Sequence, residues 1–97
     1  MKVRKVKDMQ QVLLKKGFVL HPEKDHHQFY ILHVNGIKQT VRTYFSHGKK
    51  EYGSTLMTQI KKQLKFKETA LAEDFFDCPM SGVQYVDMLK ENGTLQN

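Results

Sequence analysis

The chain predicts an α+β fold, a two-layer sandwich in which helices pack on one face of a three-stranded antiparallel sheet. Three observations predict it. Apolar residues recur at helical spacing over Val6, Met9 and Leu13, and again over Leu56, Ile60 and Leu64. Between them lie two runs rich in β-branched and aromatic residues. Asn35-Gly36 joins those runs, and both residues tolerate the positive φ of a tight hairpin turn.

The elements follow in order. A first helix runs from about Val6 to Lys16, where two lysines sit near the negative end of the dipole and Gly17 stops the helix. Phe18 to Leu20 reads as a short strand, ended by the turn-prone His21-Pro22-Glu23-Lys24. His26 to Val34 and Ile37 to Phe45 are the arms of the hairpin, and SHGKKEYG after them is a polar loop. The stripe Leu56, Ile60 and Leu64 marks a second helix with Ser54 as its cap. Residues 1–66 thus spell helix, three strands, helix, the order of the double-stranded-RNA-binding fold.

Residues 67–97 are an extension. Leu71 and Phe75 lie four apart in a short helix closed by Cys78-Pro79. Ser81-Gly82-Val83-Gln84 fits a capping box, flanked by Met80 and Tyr85 for a hydrophobic staple. Together these predict an acidic helical hairpin, which at about 30 residues needs the main domain to pack on.

Charge divides the chain at the same place. Residues 1–67 hold 15 Lys and Arg against 4 Asp and Glu, a net +11, whereas residues 68–97 hold 1 Lys against 6 Asp and Glu, a net −5. A positive potential of that size in so short a segment attracts a polyanion, and nucleic acid is the first candidate. The acidic extension then has three readings: a helical cap burying Phe75, Phe76, Leu71 and Leu89, a mask over the basic face, or a surface for a protein partner. No apolar run approaches the roughly 20 residues of a membrane-spanning helix. The basic start MKVRKVKDMQQ is followed by no signal-peptide core, so no membrane association is expected. Cys78 is the only cysteine, so no internal disulfide forms and a cytoplasmic home is expected.

Two adjacent histidines open the second strand, in DHHQFYI. Side chains alternate along a strand, so His27, Phe29 and Ile31 share one face and His26, Gln28 and Tyr30 the other. With Phe29 and Ile31 turned to the helices, His26 faces outward. On the partner strand Ile37, Val41 and Phe45 form the apolar side, leaving Lys38, Thr40, Arg42 and Tyr44 opposite. Such a surface suits phosphates and stacked bases, and a neutral-pH base on it has a use. RNA carries its own nucleophile, the 2′-hydroxyl, and histidine can take that proton without a metal. Histidine at a strand start in a polar turn is ordinarily just a surface residue. Even pairing from the turn brings His26 opposite Phe45 and near His47, within the loop that also supplies Lys49 and Lys50. The histidines and Cys78 show neither CxxC nor HxxxH spacing, so no metal site is expected. No glycine-rich phosphate loop is present, and no cofactor is expected.

Several pieces in order resemble the HicA-like (YcfA-like) toxins of bacterial and archaeal toxin–antitoxin systems. They are LLKKGF (Leu13 to Phe18), DHHQFY, the strand running into SHGKKEYG, and LMTQIKKQLKF (Leu56 to Phe66). The resemblance covers residues 1–66 and implies a metal-independent ribonuclease acting on mRNA, partnered by a HicB-like antitoxin. The family's Gly-Ser-His histidine maps onto His26, with His27 as the fallback if the register slips by one, and Lys24-Asp25 stands where the family has Gly-Ser. His47 is then a second proton carrier, and Lys24, Lys38, Arg42, Lys49 and Lys50 hold phosphates. A non-catalytic RNA-binding module and a protein-interaction adaptor are the alternatives.

Overall fold

The chain folds as an α+β protein with a three-stranded antiparallel sheet and four helices, and the computed structural model describes residues 1–22, 27–46 and 48–95. A two-residue strand, β1 (Arg4–Lys5), leads into α1 (Val6–Lys15). The sheet is built in spatial order from β2 (Phe18–Pro22), β3 (His27–Val34) and β4 (Ile37–Ser46). Then β5 (Glu51–Tyr52) returns to pair with β1, and α2 (Ser54–Gln63), α3 (Thr69–Asp77) and α4 (Gly82–Glu91) complete the chain. The Cα radius of gyration is 12.7 Å, against about 12.5 Å for one compact domain of this length.

Local chemistry accounts for most of these boundaries. Gly17, at φ +104°, ends α1. Asn35 and Gly36 take φ values of 52° and 78°, the left-handed pair that a two-residue hairpin turn requires. The capping box before α4 is formed in both directions: Gln84 N–H donates to Ser81 Oγ at 3.1 Å, and Ser81 N–H donates to Gln84 Oε1 at 2.8 Å. Ser54 differs from expectation. It begins α2 rather than capping it, after an extended Gly53 that offers no side-chain cap. The polar loop also differs, because its last residues form β5. Val6 N–H donates to the Lys50 carbonyl at 2.9 Å, and the Tyr52 hydroxyl accepts from Ser46 N–H at 3.0 Å. A two-residue strand holds no periodicity to read, so only the buried Tyr52 marked it.

One hydrophobic cluster gathers residues from all four helices onto a single face of the sheet, where it meets Phe18, Tyr30, Leu32, Val41 and Phe45. This reverses the facing expected for β3. Tyr30 and Leu32 turn toward the helices, and Phe29 and Ile31 lie on the opposite face. Pairing explains the reversal, since residues directly opposed in antiparallel strands share a face. Tyr30 opposes the buried Thr43, Phe29 opposes Tyr44, and Ile31 opposes Arg42. A bulge between Ile31 and His33 also moves the pairing two residues along β4 from even pairing at the turn, so Phe45 faces Gln28. The expected placement of His26 against Phe45 does not hold, and His26 itself lies outside the described residues.

The two C-terminal helices act as a cap, with Ala72, Phe75, Phe76, Tyr85 and Leu89 buried. The Phe75 and Tyr85 rings meet at 4.8 Å between centroids, with Phe66 5.5 Å and 5.4 Å from them. Phe18 of β2 completes the group, 5.9 Å from Tyr85 and 6.4 Å from Phe75. The Tyr85 hydroxyl donates to the Leu64 carbonyl at 2.8 Å, closing the end of α2. Lys16, expected as a cation at the negative end of the α1 dipole, is also buried. Its ammonium donates to the Phe75 carbonyl and lies 4.6 Å from the Phe75 ring centre. Burial lowers its pKa. Gly82 packs on the Lys16 backbone so closely that an added Cβ would lie 3.2 Å from the Lys16 carbonyl oxygen.

Two substitutions grade this cap. Phe75→Ala is expected to cost about 3–5 kcal/mol, and Tyr85→Phe, which only orphans the Leu64 carbonyl, about 1–2 kcal/mol. Urea denaturation of both variants reads the difference; equal, small losses would mean that the ring cluster does not hold the cap. Removal of residues 67–97 is expected to abolish cooperative folding.

Candidate nucleic-acid interface

Basic residues that are distant in sequence meet at one end of the sheet. There β1 hands over to α1, β3 begins, β4 ends and β5 returns. Together they enclose an open cleft of about 960 Å³ whose lining includes Lys5, Lys7, Lys49 and Lys50, with Glu51 the one acidic member among the described residues. Among the described residues no ion pair engages those four lysines. Gln10 of α1 donates through Nε2 to Gln28 Oε1 of β3 at 2.8 Å, tying the helix to the strand between the cleft walls. The start of α1 adds the positive end of its dipole to the same cleft.

Arg4 and Lys5 point opposite ways because they are successive residues of a strand. Lys5 lines the cleft, whereas Arg4 turns to α3. There its guanidinium donates to Asp77 Oδ1 and Glu73 Oε1, both at 2.9 Å, and lies 5.3 Å from the Phe76 ring centre. Lys2 adds a 3.3 Å ion pair to Asp77. The acidic helices thus engage the first residues of the chain, and no described residue after Glu51 lines the cleft.

The opposite face of the sheet carries a second group. Phe29 and Tyr44 pack at 5.3 Å between centroids, and the Arg42 guanidinium carbon lies 5.2 Å from the Phe29 ring centre. His21 and His33 meet on this face with their Nε2 atoms 3.2 Å apart, one donating and the other accepting. Among the described residues no cluster of three or more His, Cys, Asp or Glu could hold a metal ion. No described helix is long and apolar enough to cross a membrane.

The residues expected to bind phosphate therefore divide between two surfaces. Lys49 and Lys50 line the cleft, while Arg42 and Lys38 lie on the open face of the sheet. Lys24, His26 and His47 lie outside the described residues. The backbone of His27 opens β3 opposite Ser46. Sequence reading missed Lys5 and Lys7 as cleft residues. The signal was the basic start of the chain, which gains meaning only once β1 pairs with β5.

Set against family models, curated proteins and solved structures, the chain has no match. The family resemblance rests on the residues that carry it.

The Arg4 clamp predicts a pH effect. Hydrogen bonding to Arg4 holds the Asp77 carboxyl below its usual range. Its contribution is therefore present above the ordinary Asp value of about 3.9 and is lost as pH falls through the lower folded value. Asp77→Asn is expected to cost under about 1 kcal/mol at neutral pH, as for exposed pairs. Melting temperatures of parent and variant should converge toward about pH 2; a gap constant with pH would place the effect elsewhere.

Proposed function

We propose that this chain binds RNA through the basic cleft and cuts it without a metal, as an mRNA-directed ribonuclease of the HicA-like kind. The observation that carries the reading is the convergence of Lys5, Lys7, Lys49 and Lys50 where β3 begins and β4 ends. Cations held in one concavity neutralise several phosphates at once and release their counterions. The double-stranded-RNA-binding-like order of helix, three strands and helix, with a C-terminal helical hairpin, supports the same reading. His26, the position to which the family resemblance maps the catalytic histidine, adjoins the start of β3. In this mechanism it takes the 2′-hydroxyl proton while the cleft lysines stabilise charge on the phosphorane. His27 is the fallback, and His47 is a second proton carrier. A HicB-like antitoxin is the partner that the resemblance implies, and the cytoplasm is the place of action.

The test is cleavage of RNA in EDTA by the parent, His26→Ala and His27→Ala, after both variants are shown to fold and to bind RNA. Cutting is expected to vanish in His26→Ala alone. A paired Lys49→Ala, Lys50→Ala variant should flatten the dependence of log K on log salt by about 1.5, from roughly 0.7–0.9 per phosphate contact. Binding indifferent to salt would sink the cleft as a phosphate site. Binding by every protein with cutting by none would leave an RNA-binding module without catalysis.

A further inference from the structure

The open face of the sheet has a composition that the cleft does not explain. Residues 18–22 and 27–46, which include all of β2, β3 and β4, contain no Asp or Glu. The face carries two half-buried aromatic rings, Phe29 and Tyr44, beside the exposed cations Arg42 and Lys38. A recess of about 470 Å³ is lined by Phe29, Arg42, Tyr44 and Gln63. A second, of about 290 Å³, shares Arg42 and includes Lys38. Gln63 Oε1 accepts from Thr43 Oγ1 at 2.6 Å, which leaves its amide nitrogen, like the Arg42 guanidinium, as a donor group of a residue lining the first recess.

We propose that this recess is a second RNA subsite, in which an unpaired base stacks at the Phe29–Tyr44 pair while Arg42 and Lys38 hold its phosphate. The inference rests on the RNA reading above and narrows it to single-stranded RNA. A base inside an A-form duplex keeps both faces stacked and cannot enter such a recess, whereas a base in a loop or single strand can. Aromatic rings beside cations on an acid-free sheet form a stacking platform that tolerates any base. Gln28 lines the cleft and the next residue of β3, Phe29, lines the recess; on β4, Ser46 lines the cleft and Tyr44, two residues earlier, lines the recess. A strand that crosses the start of β3 reaches both sites.

The test compares three uncleavable 2′-O-methyl ligands on the full-length protein by fluorescence anisotropy: a decamer, the same decamer with abasic sugars, and a duplex of equal charge. The parent should bind the base-bearing decamer roughly 10-fold more tightly than the abasic one. Tyr44→Ala should lose that preference without changing abasic or duplex binding, and Tyr44→Phe should keep it within about 2-fold. The abasic comparison uses the parent alone, so it stands even where a variant folds poorly. Equal affinity of the parent for base-bearing and abasic strands would overturn the stacking subsite while leaving the cleft intact. Failure of the parent to bind any of the three at low salt would overturn the RNA reading, and this subsite with it.

Discussion

The packing of Phe75 and Tyr85 against Phe18 and Phe66 is the interaction on which the rest of the molecule depends. It joins β2, the turn after α2, α3 and α4, and it does so on one side of the sheet. Offset and edge-to-face rings at these separations add to the area they bury, and Tyr85 also closes the last turn of α2 through its hydroxyl. The buried Lys16 ammonium is tolerated only because the Phe75 carbonyl and ring meet it there. A chain of this length has little core to spare, so residues after 67 belong to the core rather than adorn it.

Because every helix contributes to that one cluster, the second face of the sheet has no helical cover. An open antiparallel face ordinarily shows polar side chains to water. Here it carries Phe29, Tyr44 and Ile31, with Ile31 buried although it stands outside the helix-side cluster. Arg42 and the paired His21 and His33 complete that side. Apolar surface kept on the side without helices does not serve the main core. It is a departure from simple patterning, and the RNA subsite proposed above rests on it.

That departure also explains what was and was not legible in the sequence. The main helices, the Asn35-Gly36 turn and the capping box at Ser81 could be read because each is set by local chemistry within a few residues. The facing of β3 could not be read from hydrophobicity, since both of its faces are apolar: Tyr30 and Leu32 on one, Phe29 and Ile31 on the other. The information was nevertheless present in the turn. A two-residue hairpin pairs odd positions of β3 with even positions of β4, which puts Phe29 and Ile31 with Arg42 and Tyr44. The bulge then shifts the partners by two without changing the face. Lys49 and Lys50 were recognised as cations, but their company with Lys5 and Lys7 depends on β1 and β5, which are too short for any pattern to announce.

The abrupt change of charge along the chain takes its meaning from the same short strand pair. Alternation at β1 sends Arg4 to Glu73 and Asp77 and its neighbour Lys5 to the cleft. Two residues therefore divide an acidic side from a basic one. Had the acidic helices lain over the cleft, Glu73 and Asp77 would offset its lysines and weaken any pull on a polyanion. Seated against Arg4 and Lys2 instead, they neutralise charges that point away from the cleft, and among the described residues Glu51 alone opposes the cleft lysines. The result is a molecule with a charge gradient, and such a gradient orients an approaching polyanion before contact as well as holding it afterwards. The extension thus performs two physical tasks with different residues: its aromatic side completes the core, and its acidic side keeps the positive potential concentrated at one end of the sheet.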